Sequence, residues 1–199
     1  MKSENPFPEP IWKARFPGRL DTIANRIAKY ASDPTVTTKE LMGNLVQRYN
    51  LKDNPHEWKE LDEFNNWLGS FVSEVWKNWE YSLEEWEELR FKSWVNYNDV
   101  GSSIGEHTHT RDVMTIVFYI NKPSDTGHLQ LFNPLIFHWE NTPRKDDGFW
   151  RDIPAKSGDV IIIPGWMMHR VSKNESTENR LSITINATIT TIKIIEITD

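Results

Sequence analysis

The sequence predicts a mainly β fold, a jelly roll (a double-stranded β-helix of two packed sheets) with N-terminal helices lying on one sheet. Three observations predict it. In the first half, apolar residues recur every three or four positions, the period of a helix that buries one face. From Lys92 onward the pattern changes to short β-branched and aromatic runs broken by Gly, Pro, Asn and Asp. No helical stretch separates those runs, so the strands must pair antiparallel, and two sheets packed face to face bury their apolar sides. At 199 residues the chain suits one compact domain, with 1–91 as a helical support region and 92–199 as the jelly-roll core.

The elements follow in order. Residues 20–30 carry apolar side chains at 20, 23, 27 and 30, and Asp33-Pro34 ends that helix. Thr37-Thr38-Lys39-Glu40 reads as a capping box opening a helix to about Tyr49. Asn54-Pro55-His56-Glu57 offers an N-cap amide, a Pro at the first helical position and a Glu at the third. Beyond it Trp58, Leu61, Phe64, Leu68, Phe71, Val75, Trp76 and Trp79 line one face of a helix of about six turns. A third box, Ser82-Leu83-Glu84-Glu85, predicts a short helix to about Phe91. Strands are expected at 93–98, 113–121, 128–132, 136–139, 149–153, 159–163, 168–172, 180–187 and 190–197.

Composition narrows the function. The 23 Lys plus Arg against 29 Asp plus Glu leave a net charge of −6, and basic residues cluster only in pairs, so nucleic acid is not an expected partner. The absence of Cys excludes disulfides, thiolate metal sites and Cys nucleophiles, so any metal must be held by His, carboxylate or water. No apolar run approaches bilayer-spanning length and no signal-peptide core opens the chain, so a soluble, cytoplasmic protein with no membrane partner is expected.

His107 and His109 stand two apart in GEHTHTRD, and His169 follows an apolar run and a Pro-Gly turn. On extended backbone, residues two apart share a face, so the first pair can point at one spot. Three neutral imidazoles converging at the mouth of the barrel would bind a first-row divalent ion and leave positions open for ligands. In Arg180-Leu181-Ser182-Ile183-Thr184-Ile185-Asn186 polar and apolar residues alternate strictly. If the polar face lines a cavity, Arg180 and Ser182 together suit a carboxylate, because a guanidinium forks onto two oxygens and a hydroxyl adds a third donor.

The segments WVNYN, EHTHT, VFYINK, GHLQLF, IPAKSGDVIIIPGWMMH and RLSITIN, spanning 94–186, resemble the Fe(II)/2-oxoglutarate-dependent oxygenases, including their prolyl-hydroxylase-like branch. The resemblance implies a dioxygenase, by default a hydroxylase, that couples oxidative decarboxylation of 2-oxoglutarate to oxidation of a substrate. It implies Fe(II) as cofactor and 2-oxoglutarate as co-substrate. Carried over by motif, His107 and His169 are iron ligands, Arg180 and Ser182 grip the distal carboxylate of 2-oxoglutarate, and Tyr97 and Tyr119 help to bind that co-substrate. One departure matters: the family's usual pattern is H-x-D or H-x-E, and position 109 is His. Either His109 is the third ligand or a nearby acid, Asp112 or Glu106, replaces it; strand phase favours His109.

A three-His cupin-type dioxygenase is the nearest rival, from the spacing of Gly101, His107, Gly158, Pro164 and His169, but it leaves Arg180, Ser182, Tyr97 and Tyr119 without a role. A non-catalytic jelly roll that binds a ligand through its ten Trp is the other. Trp58, Trp67, Trp76 and Trp79 read as helix core, and Glu84, Glu85, Glu87 and Glu88 as a solvated helix face. His56 belongs to a helix start, His128 has some prospect of facing the cavity, and His138 has no assigned role. Substrate selection is expected from the segments 99–106 and 133–152, with a small molecule or a protein side chain as substrate and a homodimer as one assembly.

Overall fold

The computed structural model describes residues 11–41, 45–49, 53–84, 87–133 and 149–191. Its elements are β1 (Trp12–Arg15), α1 (Asp21–Ala31), β2 (Thr37–Leu41), β3 (Leu45–Tyr49), two single 3₁₀ turns (Pro55–Glu57 and Lys59–Leu61) and α2 (Asp62–Asn78). They continue with β4 (Glu87–Asn98), β5 (Ile104–His107), β6 (Met114–Asn121), β7 (Leu129–Phe132), β8 (Trp150–Ile153), β9 (Asp159–Pro164), β10 (His169–Val171) and β11 (Arg180–Thr191). The strands form a seven-stranded sheet in the order β1-β9-β6-β11-β4-β3-β2 and a four-stranded sheet in the order β5-β10-β7-β8. Every pairing between these strands is antiparallel.

Period-two alternation divides the large sheet into two faces. Val95, Ile116, Phe118, Val160, Ile162, Ile183, Ile185 and Ala187 join Ile23, Ile27 and Tyr30 of α1 and Phe64, Leu68 and Val75 of α2 in one buried cluster. At its centre the Phe64 ring stacks on Phe118 with centroids 4.0 Å apart, and Phe16 meets both rings edge-on. The next residues along the same strands, Tyr119, Ile161 and Ile163, face the small sheet and pack with Leu129, Leu131 and Met167. β9 is buried on both sides, which is why it is a continuous apolar run rather than an alternating one. The helices thus cover one face of the large sheet, as expected, and the other face closes over the space between the sheets.

Several elements differ from the sequence expectation. The helix expected from Thr37 to about Tyr49 is a hairpin, β2 paired with β3, and β3 adds to the edge of β4. Thr37, Thr38 and Val46 are β-branched and suit strands, and a free sheet edge supplies the partner that local capping signals cannot reveal. The short helix expected from Ser82 is not found among the described residues: residues 87–91 extend β4, which is held along its length by twelve consecutive Cα partners on β11. The long helix begins late. Asn54 starts a 3₁₀ turn, its side chain making no cap bond to the backbone, and Trp58 takes an extended conformation, so α2 starts only at Asp62. N-terminal residues therefore supply strands β1, β2 and β3 to the large sheet as well as helices.

β5 and the short β1 are additional strands, and the strands expected at 180–187 and 190–197 are joined as far as Thr191. The strand expected at 136–139, most of the segment 133–152 and the stretch after Thr191 lie outside the described residues. Among the described residues no helix is long and apolar enough to cross a membrane.

Candidate active site

The space between the sheets opens into a cavity of about 530 Å³, part of it continuous with solvent. Its walls include the three His, Trp94, Asn96, Asn98, Thr115, Tyr119, Arg180, Ser182 and Thr184. β5 and β10 carry His107 and His169 as direct antiparallel partners, and His109 follows two residues beyond. Their potential ligand atoms all lie within 4.8 Å of one another, and no other group of three or more His, Asp or Glu among the described residues converges in this way.

Hydrogen bonds fix the orientation of two of the three rings. His107 Nδ1 lies 2.8 Å from Gly105 O and His169 Nδ1 lies 2.8 Å from Met167 O. A carbonyl can only accept, so each Nδ1 carries the proton and each Nε2 keeps a lone pair for a ligand. Burial first, and then repulsion from His107, push His109 down to about 4 and His169 down to about 3; Asp112 opposes the shift at His109, and the Met167 carbonyl that at His169. Both rings are therefore neutral near pH 7, the form that binds metal. The donor set, three borderline nitrogens on one side of an open cavity, fits a first-row divalent ion.

The alternative carboxylates are engaged elsewhere. Glu106 is half-exposed and accepts from Arg170 Nη1 at 3.2 Å. Asp112 accepts from Asn186 Nδ2 and from Thr188 Oγ1.

Deeper in the cavity, strand register assembles a polar wall. Ser182 on β11 is flanked by Tyr119 of β6 and Asn96 of β4, and Arg180 by Asn98. Arg180 is 2% exposed, and its Nη1 donates to the carbonyls of Thr126 and Gly127 at 3.2 and 3.4 Å. Its Nε has no partner, nor have the Asn98 amide atoms and the Thr115 hydroxyl, all of them buried. Leaving such groups unpaired costs about 1–3 kcal/mol each, and three of them, Arg180 Nε, Asn98 Nδ2 and the Thr115 hydroxyl, are donors that a ligand's acceptor oxygens would satisfy. Burial raises the Tyr119 phenol above its ordinary pKa, so it stays a neutral donor beside Arg180. A 2-oxoglutarate carboxylate fits these donors.

Tyr97, expected at the cavity, is placed elsewhere by the structure. It lies between Asn96 and Asn98 on β4, and because successive residues point to opposite faces it packs on the helix-side cluster with Leu181, its partner on β11. The sequence reading missed Asn96, Asn98 and Thr115, whereas Thr184 lies on the polar face of β11 that it did place toward a cavity. The signal was present: Trp94, Asn96 and Asn98 alternate with Val95 and Tyr97 just as polar and apolar residues alternate on β11. His128 does not line the cavity; it flanks Gly127, whose φ of +76° and close approach to Ser172 O admit only glycine. His56 bonds Ser93 Oγ at 2.8 Å through Nδ1, away from the site, and His138 lies outside the described residues.

Residues 92–186 match the family described as "Putative 2OG-Fe(II) oxygenase". Over those residues the chain carries the pattern of that family, and its two packed antiparallel sheets are the double-stranded β-helix of the solved structures it resembles. The solved structures that share its double-stranded β-helix include prolyl hydroxylases. The prolyl-4-hydroxylase of Pseudomonas putida superposes with a TM-score of 0.65 at 15% identity, over 91% of this chain and 94% of that one. A prolyl hydroxylase of Trichoplax adhaerens, solved with a hypoxia-inducible-factor peptide fragment, gives 0.61 at 13% identity over 90% and 83%. HygX of Streptomyces hygroscopicus, solved with nickel and 2-oxoglutarate bound, gives 0.57 at 12% identity over 90% and 82%. None of the curated proteins matches this sequence.

Proposed function

We propose that the chain hydroxylates a peptide side chain or a small molecule, with Fe(II) held by His107, His109 and His169 and 2-oxoglutarate held by Arg180, Ser182 and Tyr119. The observation that carries this reading is the pairing of a buried guanidinium that has an unpartnered Nε with three imidazoles converging in the same cavity. When bound, iron and 2-oxoglutarate supply the oxidising chemistry.

The chain's own residues do the rest. The Gly105 and Met167 carbonyls hold two of the rings in the ligand tautomer. Arg180 and Ser182 set the depth of the co-substrate by fixing one carboxylate, so that its other end reaches the imidazoles. Ile104, Val117, Leu129 and Val171, also in the cavity wall, exclude water around it. Trp94, whose Nε1 donates to Asn96 Oδ1 at 2.9 Å and whose ring lies 6.2 Å from that of His109, stands where a substrate would rest. A cupin-type reading leaves Arg180 and Tyr119 unexplained, although both line this cavity.

The test is anaerobic Fe(II) titration with 2-oxoglutarate, followed by oxygen and a succinate assay. A weak visible charge-transfer band and succinate formation are expected. Folded, iron-loaded protein that shows no such band would overturn the reading.

A further inference from the structure

The three imidazoles differ in what stands behind them. Nδ1 of His107 and of His169 each faces a backbone carbonyl, whereas Nδ1 of His109 faces the Asp112 carboxylate, with Oδ2 at 4.0 Å. That separation is beyond hydrogen-bond length, and both side chains are about four-fifths buried, so solvent does little to screen the field of the carboxylate at the neutral ring.

The carboxylate is held in place. Asn186 Nδ2 and Thr188 Oγ1, two residues apart on one face of β11, each donate to one of its oxygens. The backbone fixes its distance from the ring: Asp112 N donates to His109 O at 2.8 Å, and His109 N donates to Gly165 O at 2.8 Å. Gly165 belongs to the turn that leads into His169, and a Cβ there would lie 1.8 Å from Asp112 O, so this turn and the 109–112 turn are pressed together. One clamp thereby ties the third His to the loop that carries the second.

We infer that Asp112 is a positioning residue that acts on the metal centre through His109. It orients that imidazole with Nε2 inward and returns to the site the negative charge that a carboxylate ligand would have carried. The inference rests on the proposed function for the metal itself. It adds that the acidic group has moved one layer outward rather than disappeared. A carboxylate behind an imidazole makes the ring a stronger donor, and loss of such a partner typically weakens metal binding about 10–100-fold.

The test uses the full chain with Co(II) as probe, reading affinity by chelator competition and the ligand field from the visible bands. Asp112→Asn should bind Co(II) about 10–100-fold more weakly, with shifted bands and an unchanged apo melting temperature. Thr188→Val keeps the carboxylate but removes one of its anchors, and should weaken binding about fivefold, one hydrogen bond's worth; it decides the matter if Asp112→Asn does not fold. Co(II) affinity and bands equal to wild type in both variants would overturn the inference. So would complete loss of Co(II) in Asp112→Ala, matching His107→Ala, since Asp112 would then be a ligand itself. Folded wild-type protein that takes up no Co(II) would remove the underlying reading and this one together, whereas tight wild-type binding with unaltered variants removes only the role of Asp112.

Discussion

Arg180 is the residue at which the proposed grip on 2-oxoglutarate can be measured. It is buried with two long bonds to backbone carbonyls and a free Nε, so in the ligand-free protein its guanidinium is incompletely paired. Replacing it with Met keeps much of its volume and removes a buried charge. The two lost carbonyl bonds cost about 1 kcal/mol each, and relief of desolvation is of similar size. Apo Arg180→Met should therefore be within about 1 kcal/mol of wild type, a shift in melting temperature of about 2–4 °C or less at this chain length. Co-substrate binding should respond far more. A guanidinium–carboxylate pair in a buried site is worth about 3–4 kcal/mol, so affinity for 2-oxoglutarate should fall several hundred-fold. The assay is thermal melting with metal present and 2-oxoglutarate at about 100 times the wild-type Kd, which stabilises wild type by about 2.7 kcal/mol and raises its melting temperature by about 5–10 °C. That rise should vanish in Arg180→Met. A variant that keeps the rise, or one whose apo form melts more than about 10 °C lower, roughly 3 kcal/mol, would refute the reasoning.

Three further outcomes follow from the same geometry. Tyr119→Phe should weaken 2-oxoglutarate binding about fivefold to tenfold, one hydrogen bond's worth, while Tyr97→Phe should leave it within twofold; calorimetric titration of both variants separates the two faces of the large sheet. Gly165→Ala drives a methyl into Asp112 O and should cost about 3 kcal/mol or more in urea unfolding, with metal affinity reduced because His109 shifts with the turn. In metal-free protein, His109 and His169 titrate near 4 and 3 when folded and near 6.5 when unfolded. Between those values the unfolded chain binds more protons, so apo stability is full above about pH 6.5 and falls as the solution is acidified toward pH 4. Melting curves in EDTA from pH 7.5 to 4.5 check this, and a flat profile would contradict it.

Local pattern alone determined the parts of this protein whose burial is one-sided and strong. α1, the double-sided apolar run of β9 and the polar–apolar alternation of β11 were all legible, because a strand or helix that buries one face must repeat at its own period. So was the grouping of the three His and Arg180, because residues two apart on extended backbone share a face and a strictly alternating strand keeps its polar side chains together. Tertiary structure decided what local signals leave degenerate. Thr37–Leu41, Leu45–Tyr49 and residues 87–91 lie where capping boxes at Thr37 and Ser82 predict helices, yet they form strands, because an available sheet edge and the long partner strand β11 outweigh a cap worth about 1 kcal/mol. Tyr97 faces the helices and Asn98 the cavity because side-chain direction depends on register against β11, which only pairing sets. Asp112 lies close to the ring nitrogen of His109, with Asn186 and Thr188 holding it there, because β11 runs beside β6 and brings together groups more than seventy residues apart in the chain.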